Sequence, residues 1–103
     1  MNILDSKLEL CSKNPLTGYY RDGYCKTDKN DFGKHTICAE MNKDFLEFTK
    51  SRGNNLYSVV KEGERWCLCE GRWYESYLHN KAPKIIKKST NKKINQKIRK
   101  IIK

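Results

Sequence analysis

The chain has 103 residues, a size that suits one domain with a modest core and excludes two. Its formal net charge of +10 is typical of a nucleic-acid-binding protein until it is divided along the chain. Residues 1–80 contain 12 basic and 12 acidic side chains, whereas residues 81–103 contain 10 basic side chains and no acid. The excess charge therefore belongs to the C-terminal segment, and the remainder, which has no net charge, is not expected to attract a polyanion.

Neither a signal peptide nor a membrane span is indicated. Asp5 and Glu9 interrupt the start of the chain, and no stretch approaches the roughly 18 apolar residues of a membrane helix. We therefore expect a cytoplasmic protein. The bias toward Lys, Asn and Ile is typical of an AT-rich genome, and a viral source would place the protein in the host cytoplasm. In a reducing cytosol the five cysteines are expected to be thiols or metal ligands rather than disulfides.

The first recognisable strand follows a long turn-rich region. Residues 14–24 hold several turn formers, and a polar loop comes after them. The stretch HTICAE then alternates as a strand does, with Ile37 and Ala39 on one face and Cys38 on the other.

A helix is predicted directly after this strand. Asn42 is a suitable N-cap, and Gly53 is suited to the C′ position that ends a helix. Between them one apolar stripe is formed by Phe45, Leu46, Phe48 and Thr49. The stretch NLYSVV (55–60) is then a candidate strand before the turn at EGE.

The stretch RWCLCE also alternates as a strand. Trp66 and Leu68 project from one face, while Cys67 and Cys69 project from the other. We therefore expect both sulfurs to line the core side of a central strand, or a cysteine cluster on that side.

The rest of the chain is predicted to be helical. Gly71 ends the strand, and the following helix carries Trp73 and Tyr77 on one side. We expect an α+β fold in which residues 1–80 form a compact domain of short strands packed with two or three helices. Residues 81–103 then form a basic amphipathic segment that docks on the domain through isoleucines at helical spacing, namely Ile94, Ile98, Ile101 and Ile102.

Several blocks of the sequence resemble one bacterial family, called domain of unknown function 2237. They are LELCSKNPLTGYYRDGYC, GKHTICAEMNKDFLEFTKSRGN, ERWCLCEGRW and KAPKII, and the resemblance covers about residues 8 to 94. The resemblance implies the compact α+β domain of that family. It implies no function, because none is assigned to the family.

Three features differ from the usual pattern of this family. Members commonly carry a pair of cysteines after the Asp-Gly, where this chain has Tyr24 and Cys25. Their Thr-His-Glu near the end corresponds here to Thr90, Asn91 and Lys92. A proline-rich loop that usually precedes the RWCLC block is shortened to about YSVVKEGE.

The cysteines are open to three interpretations. They are small buried apolar residues, a zinc site, or the centre of thiol chemistry. Thiol chemistry would take the form of a redox cysteine or a nucleophile activated by His35, with positive charge from Arg21, Arg65 or Arg72. Zinc is the one cofactor that the residue types suit, and Cys11 is a further possible ligand. The candidate zinc ligands are Cys25, His35, Cys38, Cys67 and Cys69.

The function that these patterns favour is a non-catalytic binding or interaction module with an unidentified protein partner and a buried cysteine cluster. A small enzyme or redox protein that uses a thiol or metal in that cluster is the alternative. Weak, nonspecific binding of nucleic acid or an anionic surface by the tail is a second one, although the tail has no aromatic residue to stack on bases. Its candidate contacts are Lys87, Lys88, Lys92, Lys93, Lys97, Arg99 and Lys100.

Overall fold

A three-stranded antiparallel sheet lies at the centre of the computed structural model, which describes residues 1–102. Strand β1 (Ile37–Glu40) lies between β2 (Arg65–Leu68) and β3 (Lys84–Ile85). Three helices complete the described part of the chain, namely α1 (Lys43–Ser51), α2 (Glu70–Leu78) and α3 (Gln96–Ile101). The predicted α+β class is confirmed. No helix within residues 1–102 has both the length and the apolar character needed to cross a membrane.

The two faces of β1 and β2 have different surroundings. The side chains of Ile37 and Leu68, which are register partners, belong to the main apolar core together with Trp66. Cys38 and Cys67 are also register partners, and they lie on the opposite face in a separate buried cluster. The predicted alternation along both strands is confirmed over these residues.

Helix α1 begins and ends where local chemistry predicts. The Asn42 side chain accepts a hydrogen bond from the backbone N–H of Phe45 at 2.7 Å. The chain leaves the helix at Gly53, whose φ of +89° lies in the left-handed region that favours glycine. Phe45, Leu46 and Thr49 are buried, whereas Phe48 is only partly buried.

The predicted strand over residues 55–60 is wrong. Residues Leu56–Ser58 form a short 3-10 turn instead, and the Asn55 side chain accepts a hydrogen bond from the N–H of Tyr57 at 3.2 Å. An asparagine that bonds its own backbone two residues ahead favours a turn over extended structure. This local bond outweighs the strand propensity of Val59 and Val60.

Helix α2 begins at Glu70, earlier than the expected start after Gly71, so Gly71 lies inside its first turn. Glu70 is the first residue of the helix, where a carboxylate interacts favourably with the helix dipole. Its buried carboxylate accepts hydrogen bonds from Thr36 Oγ1 at 2.7 Å and from the N–H of Asn95 at 3.2 Å. These tertiary bonds fix the start of the helix at a place that local propensity does not indicate.

The C-terminal segment contributes an edge strand to the sheet before it forms α3. Its strand β3 pairs with β1, and Lys87–Ser89 form a 3-10 turn. Ile94 and Ile98 are buried in the main core, while Ile101 and Ile102 pack against it from partly exposed positions. That residues 1–80 form a separate domain stays a prediction.

Removal of the buried part of one of these side chains tests the contribution of α3 to stability. We expect Ile98→Ala to lower the free energy of unfolding by about 2–5 kcal/mol, because it leaves a cavity in the core. The matched control is Lys100→Ala on the exposed side of the same helix, which should change stability by no more than about 0.5 kcal/mol. Urea unfolding measures both, and equal effects of the two substitutions would contradict this packing.

Candidate thiol site

Four of the five cysteines form two disulfides. Cys11 is bonded to Cys38, and Cys25 is bonded to Cys67, both with S–S distances of 2.02 Å. The expectation that these four cysteines are free thiols is therefore wrong in this structure, and metal binding by them stays a prediction. The sequence could not show the pairing, because the partners lie 27 and 42 residues apart and meet only when the strands pair.

The two disulfides form one compact sulfur cluster. Its four cysteines are between 0% and 4% exposed, and Ile86 packs against them. The Sγ atoms of Cys11, Cys25 and Cys38 all lie within 4.8 Å of one another, so the two bonds are in close proximity. We refer to Cys11, Cys25, Cys38 and Cys67 as the four-cysteine cluster.

Cys69 is the free cysteine of the chain. Strand β2 ends at Leu68, and Cys69 is the residue that precedes helix α2. Its side chain is partly exposed, so the expectation that it lines the core beside Cys67 is wrong. The change from strand to helix redirects the side chain, and strict alternation no longer applies.

The Cys69 sulfur lies next to an imidazole. Its Sγ atom is 3.1 Å from Nε2 of His35, within hydrogen-bond distance for a sulfur. The register explains the meeting, because Ile37 pairs with Leu68 in an antiparallel ladder. His35 precedes β1 and Cys69 follows β2, so both lie at the same end of the sheet.

A buried carboxylate holds the imidazole from the other side. Asp31 Oδ1 lies 2.7 Å from Nδ1 of His35, and Oδ2 accepts hydrogen bonds from the backbone N–H of His35 and from Thr27 Oγ1. Burial acts to raise the pKa of Asp31, but these hydrogen bonds outweigh it and hold the pKa below its usual value. Asp31 is therefore a carboxylate that orients His35 through two contacts.

The same arrangement stabilises the charged form of His35. The hydrogen bond to the Cys69 sulfur is the largest cause that raises its pKa to about 9, and burial opposes it. Asp31 raises the pKa further through its hydrogen bond and its charge. At neutral pH the ring is thus an imidazolium, placed between a carboxylate and a sulfur.

A glycine allows the backbone to approach this pair closely. A Cβ atom at Gly33 would lie 2.9 Å from Cε1 of His35 and 3.1 Å from Sγ of Cys69. The carbonyl oxygens of Gly33 and Lys34 both accept from the N–H of Glu70, which connects this loop to the start of α2. Gly33 therefore fills the space behind the sulfur and the imidazole with backbone alone.

Two shallow clefts open beside Cys69. The first has a volume of about 280 Å³ and is lined by both members of the pair together with Arg21, Asn55, Val59 and Trp66, among others. The second has a volume of about 350 Å³, and its rim includes Phe32, whose side chain is 94% exposed. A further cleft of about 970 Å³ lies elsewhere, beside the N-terminal residues. Cys69, which is partly exposed, therefore borders two clefts.

The candidate metal ligands of the sequence fall into two groups. Cys25, Cys38 and Cys67 belong to the four-cysteine cluster, whereas His35 and Cys69 form the hydrogen-bonded pair. Sequence analysis missed Asp31, although its position four residues before His35 was a visible signal. Of the three arginines considered, Arg21 lines the first cleft and Arg72 the second, where it pairs with Glu75 at 3.4 Å.

The basic residues proposed for polyanion contact are largely exposed, but three of them have partners within the chain. Lys92 pairs with Asp5 at 2.5 Å, the ammonium of Lys97 lies 4.8 Å from the ring centre of Tyr74, and Arg99 donates to a backbone carbonyl. The exposed remainder consists of Lys87, Lys88, Lys93 and Lys100. Binding of a polyanion by these residues stays a prediction.

Comparison with known protein families identifies the family of this chain. A family model described as an uncharacterized protein conserved in bacteria (DUF2237) matches residues 1–101. The chain belongs to this family. The match covers the sheet, the four-cysteine cluster and the pair of Cys69 and His35. No curated protein matches the sequence.

Substitution of Gly33 tests the geometry of the pair. We expect Gly33→Ala to lower the pKa of His35 from about 9 toward its ordinary value of 6.5, because the new methyl group separates the ring from the sulfur. The matched control is Gly71→Ala, at a glycine beside the same thiol where an added Cβ has nothing within 4 Å. NMR titration of the His35 ring measures the change. An unchanged pKa in Gly33→Ala would show that the two side chains are not in contact.

Proposed function

We propose that this protein is a small thiol-dependent catalyst of acyl transfer or hydrolysis, with Cys69 as its nucleophile. The observation that carries the proposal is the hydrogen-bonded series of Cys69 Sγ, the His35 ring and the Asp31 carboxylate. A nucleophile next to a base, with the base oriented by a third group, is the general arrangement of nucleophilic catalysis. The roles follow from the order of the series.

In the first half of the reaction the Cys69 thiolate attacks the carbonyl carbon of an ester, thioester or amide. The carbonyl π electrons move onto oxygen, which gives a tetrahedral oxyanion. The N–H groups of Gly71 and Arg72, in the first turn of α2, have no acceptor within the helix and follow Cys69 directly in the chain, so they are the candidate donors to this oxyanion. Collapse of this intermediate breaks the bond to the leaving group, and the His35 imidazolium gives that group its proton.

In the second half the acyl group is removed from the sulfur. Neutral His35 takes a proton from water, and the resulting hydroxide attacks the thioester carbon. The carbon–sulfur bond breaks, the carboxylic acid leaves, and the thiolate–imidazolium pair is restored. Asp31 orients the ring in both halves and stabilises its positive charge.

Acyl chemistry is preferred over thiol–disulfide exchange because of how the other sulfurs are bonded. A dithiol exchange catalyst resolves its mixed disulfide with a second thiol of its own. Here the other four cysteines are bonded to one another and buried, whereas Cys69 lies at two open clefts. The imidazole beside Cys69 can give a proton to the leaving group of an ester or amide. The thiolate that leaves in disulfide exchange depends less on such a proton, because thiols are more acidic than alcohols and amines.

The sequence alone favoured a non-catalytic binding module, and that remains the alternative to be tested. A catalyst is favoured over a binding module, because a binding module does not require a buried carboxylate that orients an imidazole toward a partly exposed thiol. Exposed lysines of the tail are compatible with weak polyanion binding in either case.

Hydrolysis of p-nitrophenyl acetate by the full-length protein tests the proposal. We expect a burst of nitrophenolate followed by slow turnover, and both should be absent from Cys69→Ser. His35→Gln should lower the rate of acylation by about 10²-fold or more, since it removes the acid–base group. Asp31→Asn should also lower it, through loss of the orienting charge.

The matched control is His79→Gln, at the second histidine, which contacts Arg52 and Phe48 away from the thiol. It should leave the rate within about twofold of the wild type. A wild-type rate equal to that of Cys69→Ser would eliminate acyl chemistry. Oxidation of Cys69 to a sulfenic acid by hydrogen peroxide, without ester turnover, would assign the site to peroxide chemistry instead.

A further inference from the structure

The four-cysteine cluster has the composition of a structural metal site. It contains four sulfurs from four separate parts of the chain, and it excludes both Cys69 and His35. Four thiolates in a tetrahedron are a common ligand set of zinc. We propose that the reduced form of this cluster binds one zinc ion, so that the protein has two alternative forms: a disulfide form and a zinc form.

The positions of the sulfurs support this ligand set. With zinc–sulfur distances of about 2.3 Å, the sulfurs of a tetrahedral site lie about 3.8 Å apart. Three of the four already lie within 4.8 Å of one another, and the sulfur of Cys67 is bonded to one of them. After reduction, rotation of the side chains would bring the four sulfurs toward the required spacing, with the largest change at Cys67, which lies outside the group of three.

The backbone around the cluster is fixed independently of the disulfides. Cys38 donates its N–H to Thr90 Oγ1 and Cys67 donates its N–H to Thr17 Oγ1, so neither strand residue uses its N–H to bond the other. Such non-hydrogen-bonded pairs hold their side chains especially close in an antiparallel ladder. The carbonyl of Cys25 accepts from the Asn91 side chain at 3.0 Å. Reduction thus leaves hydrogen bonds that hold three of the four ligands near their places.

A dithiol reductant supplies the electrons and protons for the change from the disulfide form to the zinc form. Each disulfide takes up two electrons and two protons and becomes two thiols, while the dithiol is oxidised to its own disulfide. Zinc then displaces four protons and forms four zinc–sulfur bonds. A reducing compartment would favour the reduced zinc form, and an oxidising compartment would favour the disulfides.

Cobalt(II) is the probe for this site, because tetrahedral cobalt thiolates have intense visible absorption bands and occupy zinc sites. Full-length protein reduced by a phosphine and then loaded with cobalt should develop these bands at about one ion per chain, and zinc should remove them. The oxidised protein should show none. The bands should be lost in Cys11→Ser and in Cys67→Ser, and they should persist in Cys69→Ser and His35→Gln.

A second measurement covers the case in which the cysteine variants do not fold. In the reduced wild type, saturating zinc should protect four cysteines from iodoacetamide while Cys69 is still alkylated, as read by mass spectrometry of the peptides. Equal alkylation of all five cysteines with and without zinc would overturn the proposal. So would loss of the cobalt bands in Cys69→Ser, which would place the metal on the thiol pair instead. Neither result depends on ester turnover, so acyl chemistry and metal binding can fail separately.

Discussion

The antiparallel pairing of β1 with β2 is the constraint on which the other features depend. Its register places Ile37 opposite Leu68 and Cys38 opposite Cys67. A slip of one residue would exchange the two faces of a strand, so that cysteines would enter the apolar core and core residues would face the sulfur cluster. It would also separate His35 from Cys69, whose contact is made just beyond the ends of the same two strands. Core, cluster and thiol site therefore share one geometric cause.

The two faces of this sheet are stabilised in different ways. One face packs against a core of aliphatic and aromatic side chains that extends to α1 and α3. On the other face, the four disulfide-bonded cysteines and Ile86 form the buried cluster, and the disulfides connect the two strands to two loops. In the chain-entropy account, bridges that close loops of this length stabilise a fold by about 3–4 kcal/mol each. A domain of this size has a limited core, so such crosslinks make a substantial contribution.

Sequence reasoning succeeded where the determinants are local. The N-cap at Asn42 and the alternation around Cys38 can be read from neighbouring residues, and both are found in the structure. It failed where partners are distant in sequence. Pairing of Cys25 with Cys67 depends on the arrival of a loop at the sheet, and the start of α2 depends on bonds from Glu70 to Thr36 and Asn95. Asp31 and His35 were visible as neighbours, but their significance required Cys69, which lies 34 residues beyond His35.

The central claim, that the fold activates Cys69 by placing it against His35, is tested most directly by alkylation with iodoacetamide at pH 6. With both disulfides intact, Cys69 is the only cysteine that can react. In the protein unfolded by urea the same thiol has no imidazole beside it, so the unfolded protein gives the reference rate of alkylation. The account predicts that the folded protein reacts about tenfold faster or more, despite partial burial, and that His35→Gln removes this advantage. A folded protein that reacts no faster than the unfolded one would contradict it.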